Sequence, residues 1–250
     1  MHYKMLEPPS SLLHHFYTTR RIPEIPGSGI CMFDEGGPFG FDVHFALEVD
    51  YLVRAYGCRH VVETGTHAGD TAEYLAKQYP DVRITTIEVD PVAHVFARSR
   101  LRCYPNVRVV RGSSDAVLAS LELSENTLFY LDAHGREGAA WPLVGELVAI
   151  REGCAARGVV CVGDCDIGHE EYSYDHYDGV KCDASLLAGA LGSRNPESGM
   201  IGAIYSNDPE CRAYPYPCLQ MRRLSGRMYA RLPREDRDLF ADCPFFKLLR

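Results

Sequence analysis

No stretch of the chain approaches the roughly 20 consecutive apolar residues that cross a bilayer, so no membrane-spanning segment is expected. The N-terminal "MHYKMLEPPSSLLHHFYTTRR" has neither an apolar core nor a small-residue cleavage site. No secretory signal is therefore expected, and a cytoplasmic location is. Positive charge is short: 26 Lys and Arg stand against 34 Asp and Glu, a formal net charge of −8. That balance disfavours nucleic acid and an anionic membrane surface as partners. Internal repeats and low-complexity tracts are missing. Paired Cys-x2-Cys spacing is missing too, although there are ten cysteines. Cys161, Cys165, His169 and Cys182 come nearest to a zinc set and lack that pairing. Cysteines inside apolar runs such as "GVVCVGD" are expected as buried free thiols.

What is present suits one large core. A chain of 250 residues with 46% hydrophobic content fits a single α/β domain with appendages. Residues 1–40 are rich in Pro and Gly ("EPPSS", "IPEIPGSG", "DEGGPFG") and read as an irregular arm or lid. From 41 to 250 the pattern is that of the domain proper. Residues 41–56 place Phe45, Val49, Leu52, Val53 and Tyr56 on one helical face, with Gly57 as the stop. Apolar β-branched runs then alternate with helical patterns over 69–79, 91–102, 115–122 and 140–156. The runs are "HVVET", "RITTIEV", "VRVV", "TLFYLD" and "GVVCVGD". Such alternation predicts a doubly wound, mostly parallel, Rossmann-like sheet with helices on both faces. Further on, "SLLAGAL" reads as helix, "MIGAIY" as strand and "LQMRRLSGRMYARL" as an antiparallel C-terminal hairpin turning at Ser225-Gly226.

The turn in "VVETGTHAGDTAEYLA" decides what the sheet holds. A dinucleotide loop wants a middle glycine, where the backbone approaches a pyrophosphate; here His67 stands between Gly65 and Gly69. A Walker loop ends in Gly-Lys-Ser/Thr, and this one ends Gly69-Asp70-Thr71. Glu63 and Asp70 put carboxylates where a polyphosphate would need cations. The charge balance favours a ligand that is neutral or cationic at its near end. S-adenosylmethionine, with an ammonium, a sulfonium and no phosphate, fits.

The next strands agree. "RITTIEVD" ends in Glu88, 25 residues after Glu63, where an open α/β sheet brings an acid to a ribose diol. Val89 follows it at the same edge. In "RGSSDAVL", Ser113 and Ser114 end the third strand and can meet an adenine edge.

With these residues in order, the sequence resembles the class I S-adenosylmethionine-dependent methyltransferases over roughly residues 45–205, through "VVETGTHAGDT", "TIEVD", "RGSSDAVL" and "FYLDAHG" followed by "WPLVGEL". Within that superfamily it is most similar to metal-dependent small-molecule O-methyltransferases. The resemblance implies that Glu63, Gly65, Thr66, Gly69, Asp70 and Thr71 hold the methionine end of the cofactor. It likewise implies that Glu88 holds the ribose, Ser113 and Ser114 lie by the adenine, and Asp132 borders the site. Residues 205–250 are expected to shape the acceptor side.

A hydroxyl acceptor must lose a proton, to a base or with help from a metal ion. Asp132 and His134 end the fourth strand; Asp164 and Asp166 end the fifth. Residues two apart at a strand end can share a side, so Asp132, Asp164 and Asp166 are candidate ligands for Mg²⁺ or Mn²⁺. Cys165 stands where related metal enzymes carry a third hard ligand, which puts that ion in question. The expected activity is O-methylation of a small polar or glycosylated metabolite, as in secondary metabolism, with Asp132, Asp164 and His134 as catalytic candidates. Metal-free N- or C-methylation with His134 or a tyrosine as base stays open. A nicotinamide oxidoreductase and a non-catalytic cofactor-binding module are the more distant rivals. Self-association is left open.

Overall fold

The computed structural model describes residues 10–22, 24–27, 36–133, 141–153, 157–177, 179–192, 203–211, 224–232, 238–241 and 243–249. In chain order these form α1 (Ser10–Thr18), a single helical turn (Pro38–Phe41), α2 (Val43–Ala55), β1 (His60–Thr64), α3 (Asp70–Gln78), β2 (Arg83–Glu88) and α4 (Pro91–Leu101). Then come β3 (Val107–Arg111), α5 (Ser114–Ser120), β4 (Thr127–Leu131), α6 (Leu143–Gly153) and β5 (Gly158–Val162). Three short strands follow, β6 (Tyr172–Ser173), β7 (His176–Tyr177) and β8 (Val180–Lys181). The chain continues through α7 (Ala184–Leu191), β9 (Ile204–Asn207), β10 (Leu224–Ser225), β11 (Met228–Arg231) and β12 (Phe246–Leu248).

The main sheet has eight strands in the order β12-β9-β11-β5-β4-β1-β2-β3. β3, β2, β1, β4 and β5 run parallel, and β11 turns antiparallel against both β5 and β9. The expected doubly wound architecture is what forms. β1, β4 and β5 are buried along their whole length, which is why they read as unbroken apolar runs. Side chains alternate across the sheet: Val61, Leu128 and Val159 join the core under α2 and α3. Val62, Phe129 and Val160 join the core under α5, α6 and α7. Helix starts follow local chemistry. Asp90 caps α4 by accepting the Val92 and Ala93 N–H groups at 2.8 Å, with Pro91 in the first turn. Gly57, at φ 60°, ends α2.

One expectation changes. The arm is not wholly irregular: Leu12 and Phe16, one helical turn apart, are fully buried on α1, and Phe16 stacks on Phe41 at 5.2 Å. The prolines before Ser10 masked that short amphipathic pattern. Most of the first arm of the hairpin expected to turn at Ser225-Gly226, residues 219–223, lies outside the described residues. β10 pairs with β6 in a separate two-stranded sheet, while β11 enters the main one. Arg227 stands between them. It is buried beside Glu48 (Nε–Oε2 3.0 Å) and Asp42, and it lies 4.6 Å over the Phe45 ring, so it pins the start of β11 onto α2.

Among the described residues, no helix is long and apolar enough to cross a membrane.

Candidate active site

The strand order reverses between β1 and β4, and open α/β sheets bind ligands at the carboxyl ends of the strands there. Glu63, Glu88 and Asp132 arrive at that edge from β1, β2 and β4. The loop after β1 folds back across β2: Gly65 and Thr66 donate to the Ile87 carbonyl at 3.0 and 3.2 Å. Gly65, His67 and Gly69 all take positive φ. At Gly65 the need is steric as well, since a Cβ would meet the Asp132 carbonyl oxygen at 2.7 Å. At Gly69 it would meet Leu101 of α4 at 2.9 Å. The glycines thus serve close packing within the protein itself.

Glu88 organises this loop. One carboxyl oxygen accepts the His67 N–H at 2.7 Å and the other accepts the Asp90 N–H at 2.8 Å. Each oxygen keeps a second lone pair for a ligand hydroxyl. Val89 beside it is 58% exposed, at the rim. Glu63 is fully enclosed and accepts from the Thr86 hydroxyl at 2.6 Å. Burial pushes its carboxyl up to about 8; the Thr86 bond opposes this, and the negative charges of Asp132, Glu88 and Asp70 reinforce it. Thr66 is also buried, hydroxyl to hydroxyl with Thr86 at 2.5 Å.

Asp70 and Thr71 do something the sequence did not announce. Asp70 is paired with Arg100 and accepts the Ile22 and Gly37 N–H groups at 3.0 and 2.6 Å. The Thr71 hydroxyl accepts the Phe39 N–H at 3.0 Å. Both hold the N-terminal arm against the loop. Ser113 stands at the start of α5 with its hydroxyl on Asp115, and Ser114 is buried behind it.

At the ends of β4 and β5, Asp132 packs over Gly163 so closely that a Cβ there would lie 2.6 Å from its Oδ1. Asp164 takes φ 49° and accepts the Ser225 hydroxyl. Asp166 binds Lys181 at 3.1 Å and the Gly168 N–H at 3.0 Å. The expected Asp132–Asp164–Asp166 metal set is therefore not assembled. Among the described residues, no three His, Cys, Asp or Glu side chains gather closely enough to hold a metal ion. The reason is local: β5 ends at Val162, and the left-handed turn at Asp164 breaks the alternation that would have put residues 164 and 166 on one side. His134 lies outside the described residues.

Sequence reasoning missed Glu146. It is fully buried on α6, and neither carboxyl oxygen has a hydrogen-bond partner at ordinary geometry. The hydroxyls of Ser114 and Thr64 lie close enough to favour its charge, but burial dominates and holds it up at about 7. A signal was there: Glu146 shares a helical face with Leu143 and Ile150, both buried.

No family model matches the chain. A segment of 45 residues is 42% identical to the O-methyltransferase imqG of Aspergillus flavus, covering 18% of each protein. A segment of 65 residues is 37% identical to the tRNA1(Val) (adenine(37)-N6)-methyltransferase of Porphyromonas gingivalis, covering 26% of each. The matches thus span about a fifth to a quarter of these relatives. Solved structures match far more of the chain. An O-methyltransferase candidate from Klebsiella pneumoniae superposes with TM-score 0.54 at 16% identity, over 92% of this chain and 93% of that one. The SAH-bound methyltransferase PaMTH1 of Podospora anserina gives 0.50 at 17%, over 90% and 88%. The SAM complex of the O-methyltransferase TomG from Streptomyces achromogenes gives 0.50 at 20%, over 74% and 78%. The chain has the class I methyltransferase fold. On that fold Glu63, Glu88 and Asp132 occupy the edge where the strand order reverses.

Proposed function

We propose that the chain is an S-adenosylmethionine-dependent methyltransferase acting on a hydroxyl of a small polar metabolite. The observation that carries this is the charge at the edge of β1, β2 and β4. The strongest charges acting on Glu63 are those of Asp132, Glu88 and Asp70, all negative. A site of that sign suits a ligand bringing an ammonium and a sulfonium, and repels a polyphosphate.

Bound there, S-adenosylmethionine supplies an already activated methyl group. What remains for the protein is to orient the acceptor, exclude water and take a proton. Glu63 would receive the ammonium, and Glu88, through its remaining lone pairs, the ribose hydroxyls. The arm, latched by Asp70 and Thr71, covers the loop from one side. Ser225, brought onto Asp164 by the C-terminal extension, borders the acceptor side. Asp132 ends β4 next to both and is the group placed to accept the hydroxyl proton. Among the described residues, the carboxylates at this edge do not converge on a metal ion.

The test is calorimetric titration with S-adenosylhomocysteine, then a screen of hydroxylated metabolites for release of that product from S-adenosylmethionine. A folded chain that binds neither form of the cofactor sinks the proposal. Cofactor binding with methyl transfer only to nitrogen would keep the cofactor assignment and overturn the acceptor.

A further inference from the structure

Between the ends of β4 and β5 and the start of α6 lies a niche sized for one water molecule or one ammonium group. Its polar wall is Asp132, Glu146, Asp164 and Asp175, and Trp141 stands beside them. None of its described lining residues is basic. Glu146 is the member that calls for a ligand. Only the Ser114 and Thr64 hydroxyls come near it, neither at ordinary bonding geometry, and a buried carboxyl so thinly satisfied is costly to keep.

Further observations set the chemistry of that partner. The charges of Asp115 and Asp132 bear on Glu146 and are both negative. The carboxylates do not gather at metal-binding geometry among the described residues. Trp141 packs against Tyr177 with ring centroids 5.0 Å apart, and the Tyr177 hydroxyl donates to Asp175 at 3.1 Å. Four carboxylates and one indole around a space of this size match a protonated amine, which offers three donors and a positive charge.

We propose that this niche receives the ammonium group of the methyl acceptor, so that the substrate class is a small hydroxyl-bearing amine. This rests on the methyltransferase reading above and narrows its acceptor. Asp132 belongs both to the niche and to the cofactor edge, where its charge reaches Glu63. A hydroxyl a few bonds from the anchored amine is thereby delivered to that edge.

The experiment titrates the full chain, with and without S-adenosylhomocysteine, using methylammonium chloride and 2-aminoethanol as probes. Methanol and 1,2-ethanediol serve as neutral counterparts of similar size, and MgCl₂ as the rival cation. The amines should bind on the order of tenfold more tightly than their neutral counterparts, the scale of a hydrogen bond to a charged group. Glu146→Gln keeps the shape and should remove that preference while leaving S-adenosylhomocysteine affinity within about twofold. Asp175→Asn should weaken the amines in the same direction, which guards against a Glu146 variant that merely misfolds. Amines binding no better than neutral compounds, or binding Glu146→Gln as well as wild type, would overturn the proposal. So would Mg²⁺ displacing them, which would make the niche a metal site. Amine binding without any cofactor binding would overturn the methyltransferase reading instead, and with it only the role of the amine as acceptor.

Discussion

The carboxylate of Asp70 accepts the backbone N–H of Gly37 at 2.6 Å, joining the first turn of α3 to a segment more than thirty residues earlier in the chain. The same oxygen accepts the Ile22 N–H at 3.0 Å, and the other faces Arg100. Arg100 in turn reaches the Ala68 carbonyl at 2.9 Å and Glu73 at 2.7 Å. The arm, the loop after β1 and α4 are therefore held at one carboxylate.

Asp70→Asn should loosen the arm first. It removes a buried charge that two N–H donors and a guanidinium share, at a cost of about 1.5–3 kcal/mol. Chemical denaturation reads the loss, and limited proteolysis should cut within the first 40 residues at lower protease. Unchanged stability together with unchanged cleavage would mean that the arm is held elsewhere.

Cofactor affinity should rise with pH. Without ligand, the Glu63 carboxyl sits up at about 8, so at neutral pH it is mostly protonated. An arriving ammonium favours the charged form and lowers that value, so binding releases a proton. Affinity then climbs from pH 6 by at most about tenfold per unit and levels off above about 8. Calorimetry in buffers of differing ionisation enthalpy counts the proton. Glu63→Gln should flatten the dependence, and a wild-type affinity independent of pH would place the ammonium away from Glu63.

Gly65→Ala should damage folding and binding together. The residue sits at φ +83°, and the added carbon would lie 2.7 Å from the Asp132 carbonyl oxygen. Left-handed backbone alone costs about 1–2 kcal/mol for a residue with a Cβ, and the clash displaces the end of β4. Thermal denaturation should show a loss at least that large. A variant of wild-type stability with weakened cofactor would mean that the turn adapts and the methyl group blocks the ligand directly.

The parallel core was legible because its signal is local. Runs such as "HVVET" and "GVVCVGD" are buried on both faces and announce this in any window. Gly57 was equally plain as the stop of α2. What stayed hidden depends on contacts distant in the chain. That Asp70 also holds Gly37 and Ile22 could not be read from its own neighbours in the chain. Asp166 reads as a metal ligand until the turn at Asp164 sends it to Lys181, 15 residues on. β10 leaves β11 for β6, and Arg227 between them reaches Glu48, 179 residues earlier. Glu146 was legible in principle, as an acid on an apolar helical face, but its environment was not.

Glu88 holds the loop, and under the proposed function it would also hold the ribose; a pair of ligands separates the two. Its oxygens hold the His67 and Asp90 N–H groups at 2.7 and 2.8 Å, so any change to it disturbs the loop as well as the ribose. Glu88→Gln replaces one of those acceptors by an amide NH₂, which leaves one backbone N–H facing a donor. Affinity for S-adenosylhomocysteine should fall by about 1.5–3 kcal/mol, from both causes together. A cycle with the 2′-deoxy analogue isolates the ribose part, since coupling appears only between groups that touch or share a partner. Wild type should prefer the ribose form by roughly 1 kcal/mol or more, and Glu88→Gln should lose most of that preference. If both proteins discriminate equally, Glu88 serves the loop alone, and the ribose hydroxyls are held by another group at the end of β2.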